Sequence, residues 1–316
     1  MVDQKSFPPQ KEGRFYLSEG GTETEILYKY GFELPQFAML PLLDNPEAVS
    51  KMQEMYRNYL DVVAKHGMCA LIGGLDYRAS PDWGELLGYS PEGLSEANLK
   101  SIDFLREVAN EYASDIPEIL IQGLIGPRGD AYERNLSITE NEAEDYHSVQ
   151  LTILKQANVD LALALTFNNI PESIGVARAA KKIGVPLAIS LSLDSTSKLN
   201  SGPSLAEAIT TIDDETDLAP EFYLINCSHP LEYEPAIESG DWINRIRGVR
   251  PNASKMEKIA LCQIGHLEEG DPVELGAQCG DLARRYPHMD IWGGCCGTWD
   301  THLDQIAKNI LGIGGK

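Results

Sequence analysis

Three of the six cysteines in this 316-residue chain stand where chemistry can be done. Cys227 ends the apolar run Phe222-Tyr223-Leu224-Ile225-Asn226 and leads into Ser228-His229-Pro230. Cys295 and Cys296 end Ile291-Trp292-Gly293-Gly294 and lead into Gly297-Thr298. Adjacent cysteines on a regular strand face opposite ways. Both reach one point only if the backbone leaves strand geometry, and Gly293, Gly294 and Gly297 supply that freedom. Three converging thiolates suit Zn²⁺, which takes sulfur at about 2.3 Å in a tetrahedron. Three protein ligands leave a fourth corner open, and a substrate thiol entering it is deprotonated by the metal. Two blander readings compete: buried cysteines as core filler, and a strained vicinal disulfide. Two cysteine-bearing strand ends, one flanked by glycines, favour the metal. Cys69, Cys262 and Cys279 read as structural.

The elements that must position these thiols alternate in type. Strands are predicted at 15–18, 68–73, 119–124, 161–166, 187–191, 222–226, 246–249 and 290–292. Helices are predicted at 46–65, 95–114, 139–157, 171–183, 204–211, 272–286 and 301–311. Asn45 before Pro46 is an N-cap with proline at the first helical position. Thr139 with Glu142 has capping-box spacing. Eight strands, most followed by a helix, make a (β/α)8 barrel, here one domain over 1–316 with rim-loop insertions. A doubly wound sheet is the alternative, but Gly20-Gly21-Thr22 lacks the third glycine of a dinucleotide fingerprint. Both cysteine motifs end barrel strands, so all three thiols fall on the C-terminal rim, where barrel enzymes work. The stretch 250–270 reads as irregular.

The formal charge of −22 repels phosphate backbones and anionic lipid, so nucleic acid and membrane are not expected as partners. No run approaches the length of a membrane span and no export signal precedes the first strand. Six cysteines in such a chain point to reduced thiols in the cytoplasm. The expected partners are small molecules, with a homo-oligomer left open.

At this point the residues resemble the homocysteine S-methyltransferase family. Ile-Asn-Cys-Ser-His-Pro at 225–230 and Gly-Gly-Cys-Cys-Gly-Thr at 293–298 are similar to its two zinc motifs. Glu19-Gly20-Gly21-Thr22 resembles its first-strand Asp-Gly-Gly-Thr. Tyr77-Arg78-Ala79-Ser80 resembles its Tyr-x-Ala-Ser, and Gly126-Pro127-Arg128-Gly129 its Gly-Pro-x-Gly. The double-cysteine motif is specific; the others support it by their order along the whole chain. The resemblance implies a TIM barrel, Zn²⁺ on Cys227, Cys295 and Cys296, and methyl transfer to a thiol acceptor, homocysteine giving methionine. It implies Glu19 near the acceptor and Tyr77 at the reacting centre. Gly20, Gly21 and Thr22 would let backbone N–H groups approach the acceptor's carboxylate. One departure stands out. Where the family reads Glu-Thr after strand four, this chain reads Leu165-Thr166, and leucine cannot hold the acceptor's ammonium. Asn168, Asn169 or Glu19, one methylene longer than the family's Asp, then becomes the candidate substitute, or the acceptor is a thiol without the amine.

The donor is a sulfonium, a quaternary ammonium or a methylated carrier, and the first two favour aromatic faces. Trp83, Tyr77, Tyr89, Trp292 and Trp299 are candidates, each with packing as the commoner role. Glu23 and Glu25 read as solvated charges on the first rim loop, His229 as a loop residue beside the metal, His66 as a helix-end charge, and Arg128 as a surface arginine. The rivals are a barrel lyase, disfavoured by the lack of a strand-end lysine, and a degenerate barrel that only holds metal or ligand.

Overall fold

The barrel closes in strand order β1 to β8, every neighbouring pair parallel. In this computed structural model the chain is described at residues 6–132, 136–256 and 265–312. The strands are β1 (Tyr16–Ser18), β2 (Cys69–Ile72), β3 (Ile119–Ile125), β4 (Leu161–Phe167), β5 (Leu187–Leu191), β6 (Phe222–Asn226), β7 (Ile246–Arg250) and β8 (Ile291–Trp292). The helices are α1 (Thr22–Tyr28), α2 (Pro46–His66), α3 (Pro81–Leu86), α4 (Pro91–Asn110), α5 (Glu140–Gln156), α6 (Ile170–Ile183), α7 (Leu205–Thr216), α8 (Pro230–Tyr233), α9 (Pro272–Arg285) and α10 (Asp300–Leu311).

The caps work as the sequence suggests. Asn45 Oδ1 accepts from the N–H groups of Glu47 and Ala48, and α2 ends on Gly67 at φ +63°. Thr139 and Glu142 form a reciprocal capping box on α5. The fourth helix begins at Pro91, not 95, because Ser90 caps it by accepting from Gly93 N–H. Three short helices, α1, α3 and α8, were not anticipated. Within the irregular stretch, 251–256 and 265–271 carry no regular element. Cys262 lies outside the described residues.

Alternation along the strands divides the core in two. Tyr16, Leu71, Leu124, Leu161, Leu163, Leu165, Leu224 and Ile291 fill the barrel interior, while Ala162, Ala164 and Phe167 face the helices. Phe7 plugs the end of the tube away from the rim. Its ring sits 5.4 Å from Tyr16 and 5.0 Å from Phe222, with the Arg247 guanidinium 4.9 Å above it. No helix among the described residues is long and apolar enough to cross a membrane.

Candidate active site

The sulfurs of Cys227, Cys295 and Cys296 all lie within 4.8 Å of one another. Cys227 Sγ is 3.7 Å from Cys296 Sγ. Tetrahedral bonds of about 2.3 Å put neighbouring sulfurs about 3.8 Å apart, so the cluster has the dimensions of three zinc-site corners. All three cysteines are free thiols, which removes the vicinal disulfide. Hydrogen bonding to Cys227 leads in pushing Cys295 up to about 12, and Cys296 is raised well above the ordinary thiol range by the same crowding. A cation among them is what lets three packed thiols ionise together. The donor set therefore fits zinc. Cys69 and Cys279 are buried apart from this group, as structural cysteines should be.

The backbone departs from strand geometry where the thiols need it. Cys227 sits at φ +51°, rare for a residue with a Cβ, just past the last residue of β6. Its N–H donates to Arg250 O at 3.1 Å. Gly297 sits at φ +81°. Cys295 N–H donates to Pro251 O at 2.8 Å, and Cys296 O accepts from Ala253 N–H at 3.0 Å. The double-cysteine turn is thus pinned to the loop after β7. Asn226 braces the other side. Its Oδ1 accepts from Thr166 N–H and Ser190 Oγ, and its Nδ2 donates to Thr166 Oγ1 and reaches Cys295 Sγ at 3.8 Å. One amide therefore ties β4, β5 and β6 to a thiol, and Thr166 meets it at φ +64° in the bulge of β4.

The β1 turn is packed against the double-cysteine turn. A Cβ on Gly21 would lie 2.5 Å from Cys295 O, and one on Gly20 would strike the Thr298 carbonyl. Gly21 N–H donates to Thr298 O at 2.9 Å and Thr22 N–H to Gly20 O at 3.1 Å. The glycines are needed for this close approach, and the N–H groups of Gly21 and Thr22 are spent inside the protein. Glu19 is buried at the barrel mouth. Its carboxylate takes Arg250 Nη2 at 2.8 Å, Gly73 N–H at 3.1 Å and Gln122 Nε2 at 3.2 Å. It is therefore half of an internal ion pair, a partner the sequence did not disclose.

Tyr77 reaches the site. It shares a hydrogen bond with Thr166 and lies in the field of Cys227; burial raises its pKa far above the usual phenol value. Asn168 and Asn169 do structural work. Asn169 caps α6 by accepting from Glu172 N–H at 2.9 Å, and Asn168 Nδ2 donates to Ala131 O at 2.7 Å. The residue that sequence reasoning missed is Tyr132, whose hydroxyl is 3.0 Å from Cys227 Sγ and 4.0 Å from Cys296 Sγ. It rides on the loop after β3, held by Asn200 Nδ2, which donates to Tyr132 O at 2.9 Å, and by Asn168 Nδ2 on the neighbouring Ala131 O.

The other candidates are held by their own elements, Glu23 alone of them in the field of Cys295 and Arg250. Glu23 and Glu25 belong to helix α1, where Glu25 is buried and paired with Lys29 at 2.9 Å. His229 caps α8, its Nδ1 accepting from Leu231 N–H, and burial lowers its pKa to about 4. His66 meets Asp304 at 2.7 Å. Arg128 pairs with Asp82 at 2.8 Å on the surface. Trp292 is fully buried in the core, Tyr89 packs against it, and Trp83 stacks under Arg78 at 4.0 Å. Trp299 lies under Lys29 Nζ at 5.2 Å.

A cavity of about 260 Å³ opens on the cluster, lined by Tyr28, Phe37, Arg78, Tyr132, Glu268 and Cys296 among others. A family model described as homocysteine S-methyltransferase matches residues 16–310. The chain belongs to the homocysteine S-methyltransferase family. It is 25% identical over 293 residues to the homocysteine S-methyltransferase YbgG of Bacillus subtilis, covering 84% of each chain. Its fold matches the homocysteine methyltransferase MmuM of Escherichia coli. Against the metallated form the TM-score is 0.70 at 19% identity, covering 94% of this chain and 96% of that one. Against the oxidised form it is 0.72, with the same identity and coverage.

This homocysteine S-methyltransferase family member is an enzyme of the methyltransferase class, and its barrel differs inside. Leu165 is buried among Leu161, Leu163 and Leu224, a packing residue in the interior wall. Asp76 is fully buried, and burial pushes it up to about 7. Unfolding frees that carboxyl to ionise, so its contribution to stability is present at low pH and is lost as pH rises from about 4 through 7. Thermal melts of the metal-free protein should therefore fall between pH 5 and pH 8. Asp76→Asn should flatten the profile by roughly 1–2 kcal/mol, and an unchanged slope would remove Asp76 as the cause.

Proposed function

We propose that this chain is a zinc-dependent S-methyltransferase that moves a methyl group from a cationic donor to homocysteine. The observation that carries this is the matched size of the three-thiol cluster and a tetrahedral sulfur site. Cys227, Cys295 and Cys296 would hold the ion, and zinc there supplies the acidity that lowers an acceptor thiol's pKa to the neutral range.

The chain's own residues do the rest. The acceptor sulfur attacks the donor's methyl carbon, the new S–CH₃ bond forms as the methyl–heteroatom bond breaks, and the electron pair of that bond stays on the donor, which leaves neutral. The acceptor's proton goes to solvent, so no protein base is required. Positioning is then the main contribution. Tyr132 and Tyr77 crowd the sulfurs from two loops and keep water from the reacting line. The donor's place is the cavity at Cys296. Its aromatic side chains Tyr28, Phe37 and Tyr132 and its acids Asp130 and Glu268 suit a sulfonium or quaternary ammonium.

Metal analysis joined to a donor and acceptor panel tests this. The expected result is about one zinc per chain, with homocysteine converted to methionine by a sulfonium or quaternary ammonium donor. Full turnover by protein stripped of metal would overturn the proposal.

A further inference from the structure

Tyr132 meets the thiols from a segment, 126–132, that carries no regular element. Its hold on the site has to come from neighbouring parts of the barrel, and much of it traces to the start of α6. Asn169 is the cap of that helix. The residues on either side of the cap, Asn168 and Glu172, reach across to the segment instead. Asn168 Nδ2 donates to Ala131 O at 2.7 Å. Asn168 O accepts from the N–H of Ser201 at 3.3 Å and from its hydroxyl at 2.7 Å. Ser201 follows Asn200, whose Nδ2 donates to Tyr132 O at 2.9 Å. The tethers on the carbonyls of Ala131 and Tyr132 therefore meet at Asn168.

Glu172 anchors the other end of the segment. It is the third residue of α6, where a glutamate ordinarily turns back to the cap residue's own N–H. Here the carboxylate takes Arg128 N–H at 2.5 Å, His147 Nε2 at 2.9 Å and Asn169 Nδ2 at 3.1 Å. Glu172 and His147 are fully buried. A buried polar network is rigid only while every member keeps its partners, so loosening one part loosens the rest. Asn169 Nδ2 also reaches Asn168 Oδ1 at 3.4 Å, which joins the two anchors into one unit. Capping a helix does not call for such a unit. A loop whose last residue sits 3.0 Å from a thiol does.

We propose that Asn168 is a positioning residue for methyl transfer, the hub of a buried latch with Asn169, Glu172 and His147 that fixes segment 126–132 and so sets the Tyr132 hydroxyl over Cys227. Its part in the reaction rests on the reading of the thiol cluster as the place of methyl transfer. The latch acts on the sulfurs only through Tyr132. Cys227 is 2% exposed, and Tyr132 is one of the groups lying against it. The latch therefore also governs how readily a reagent reaches that sulfur.

The test is a double-mutant cycle on the full-length chain, read in two ways. In the first, metal-free protein is treated with iodoacetamide and each cysteine is followed by mass spectrometry of its peptide. Asn168→Ala should speed labelling of Cys227 about tenfold, as a local opening would. Cys69 and Cys279, buried elsewhere, should stay as slow as before. Tyr132→Ala should also speed Cys227, and adding Asn168→Ala to it should bring no further gain. In the second, kcat with homocysteine is measured on zinc-loaded protein. Each single variant should lose about tenfold or more, within the range of groups that orient ligands, and the pair no more than the worse single. Unchanged labelling of Cys227, equal acceleration at all three cysteines, or additive losses in kcat would each overturn the latch. Should Asn168→Ala fail to fold, Asn200→Ala removes the tether on Tyr132 O and carries the same expectations. Turnover of no thiol by the wild-type protein would overturn the functional reading, and the labelling would still decide the latch.

Discussion

Cys295→Ser and Cys296→Ser should each strip the protein of zinc and take methyl transfer below detection. The hydroxyl of serine does not ionise near neutral pH and is a harder, weaker zinc ligand than thiolate, so two sulfurs remain where three are needed. Ligand loss of this kind costs more than the 10–100-fold typical of groups that only orient ligands. The fold should survive, because the cysteines sit at the rim and both are only partly buried. Metal content by elemental analysis, far-ultraviolet circular dichroism and a methionine assay make the check. Full zinc occupancy in both variants would refute the ligand set.

Gly21→Ala should damage the same site from the other side. The new methyl would stand 2.5 Å from Cys295 O and 2.6 Å from Thr24 Oγ1. Neither neighbour yields easily. Cys295 O also accepts from Thr298 N–H and Oγ1, and Thr24 Oγ1 accepts from Gly297 N–H at 3.1 Å. Overpacking of a rigid region costs about 1–3 kcal/mol, and here it pushes directly on a ligand's backbone. Zinc affinity and kcat should fall together, by about 100-fold or more in activity, since misplacement of about 1 Å is enough for that. Retained activity would mean the two turns slide freely. Gly13→Ala, with nothing near its Cβ, is the control for handling, although its φ of +75° costs some stability.

The strands and the thiols were legible because each is a local signal. All eight strands run within about two residues of the expected bounds, since apolar runs ended by Gly, Ser or Asn are sharp marks. The cysteines announced themselves by their place at strand ends. What stayed hidden depends on contacts across the barrel. Glu19 is expected near the acceptor, and nothing local shows that Arg250 comes over from β7 to pair with it. Asn168 and Asn169 read as ligands until one is seen capping α6 and the other holding Ala131. Tyr132 lies three residues past the Gly126–Gly129 turn, and only the folded loop sets its hydroxyl against Cys227. The fourth helix begins at Pro91 and not at 95 because Ser90-Pro91 is a cap followed by a first-turn proline, a weaker mark than an apolar period.

The stopper at the base of the tube has a kinetic corollary. With Phe7, Tyr16 and Phe222 stacked beneath the leucine layers, the tube has a floor. Reactants and products therefore come and go on the rim side, and an occupant of the cavity at Cys296 stands between solvent and that sulfur.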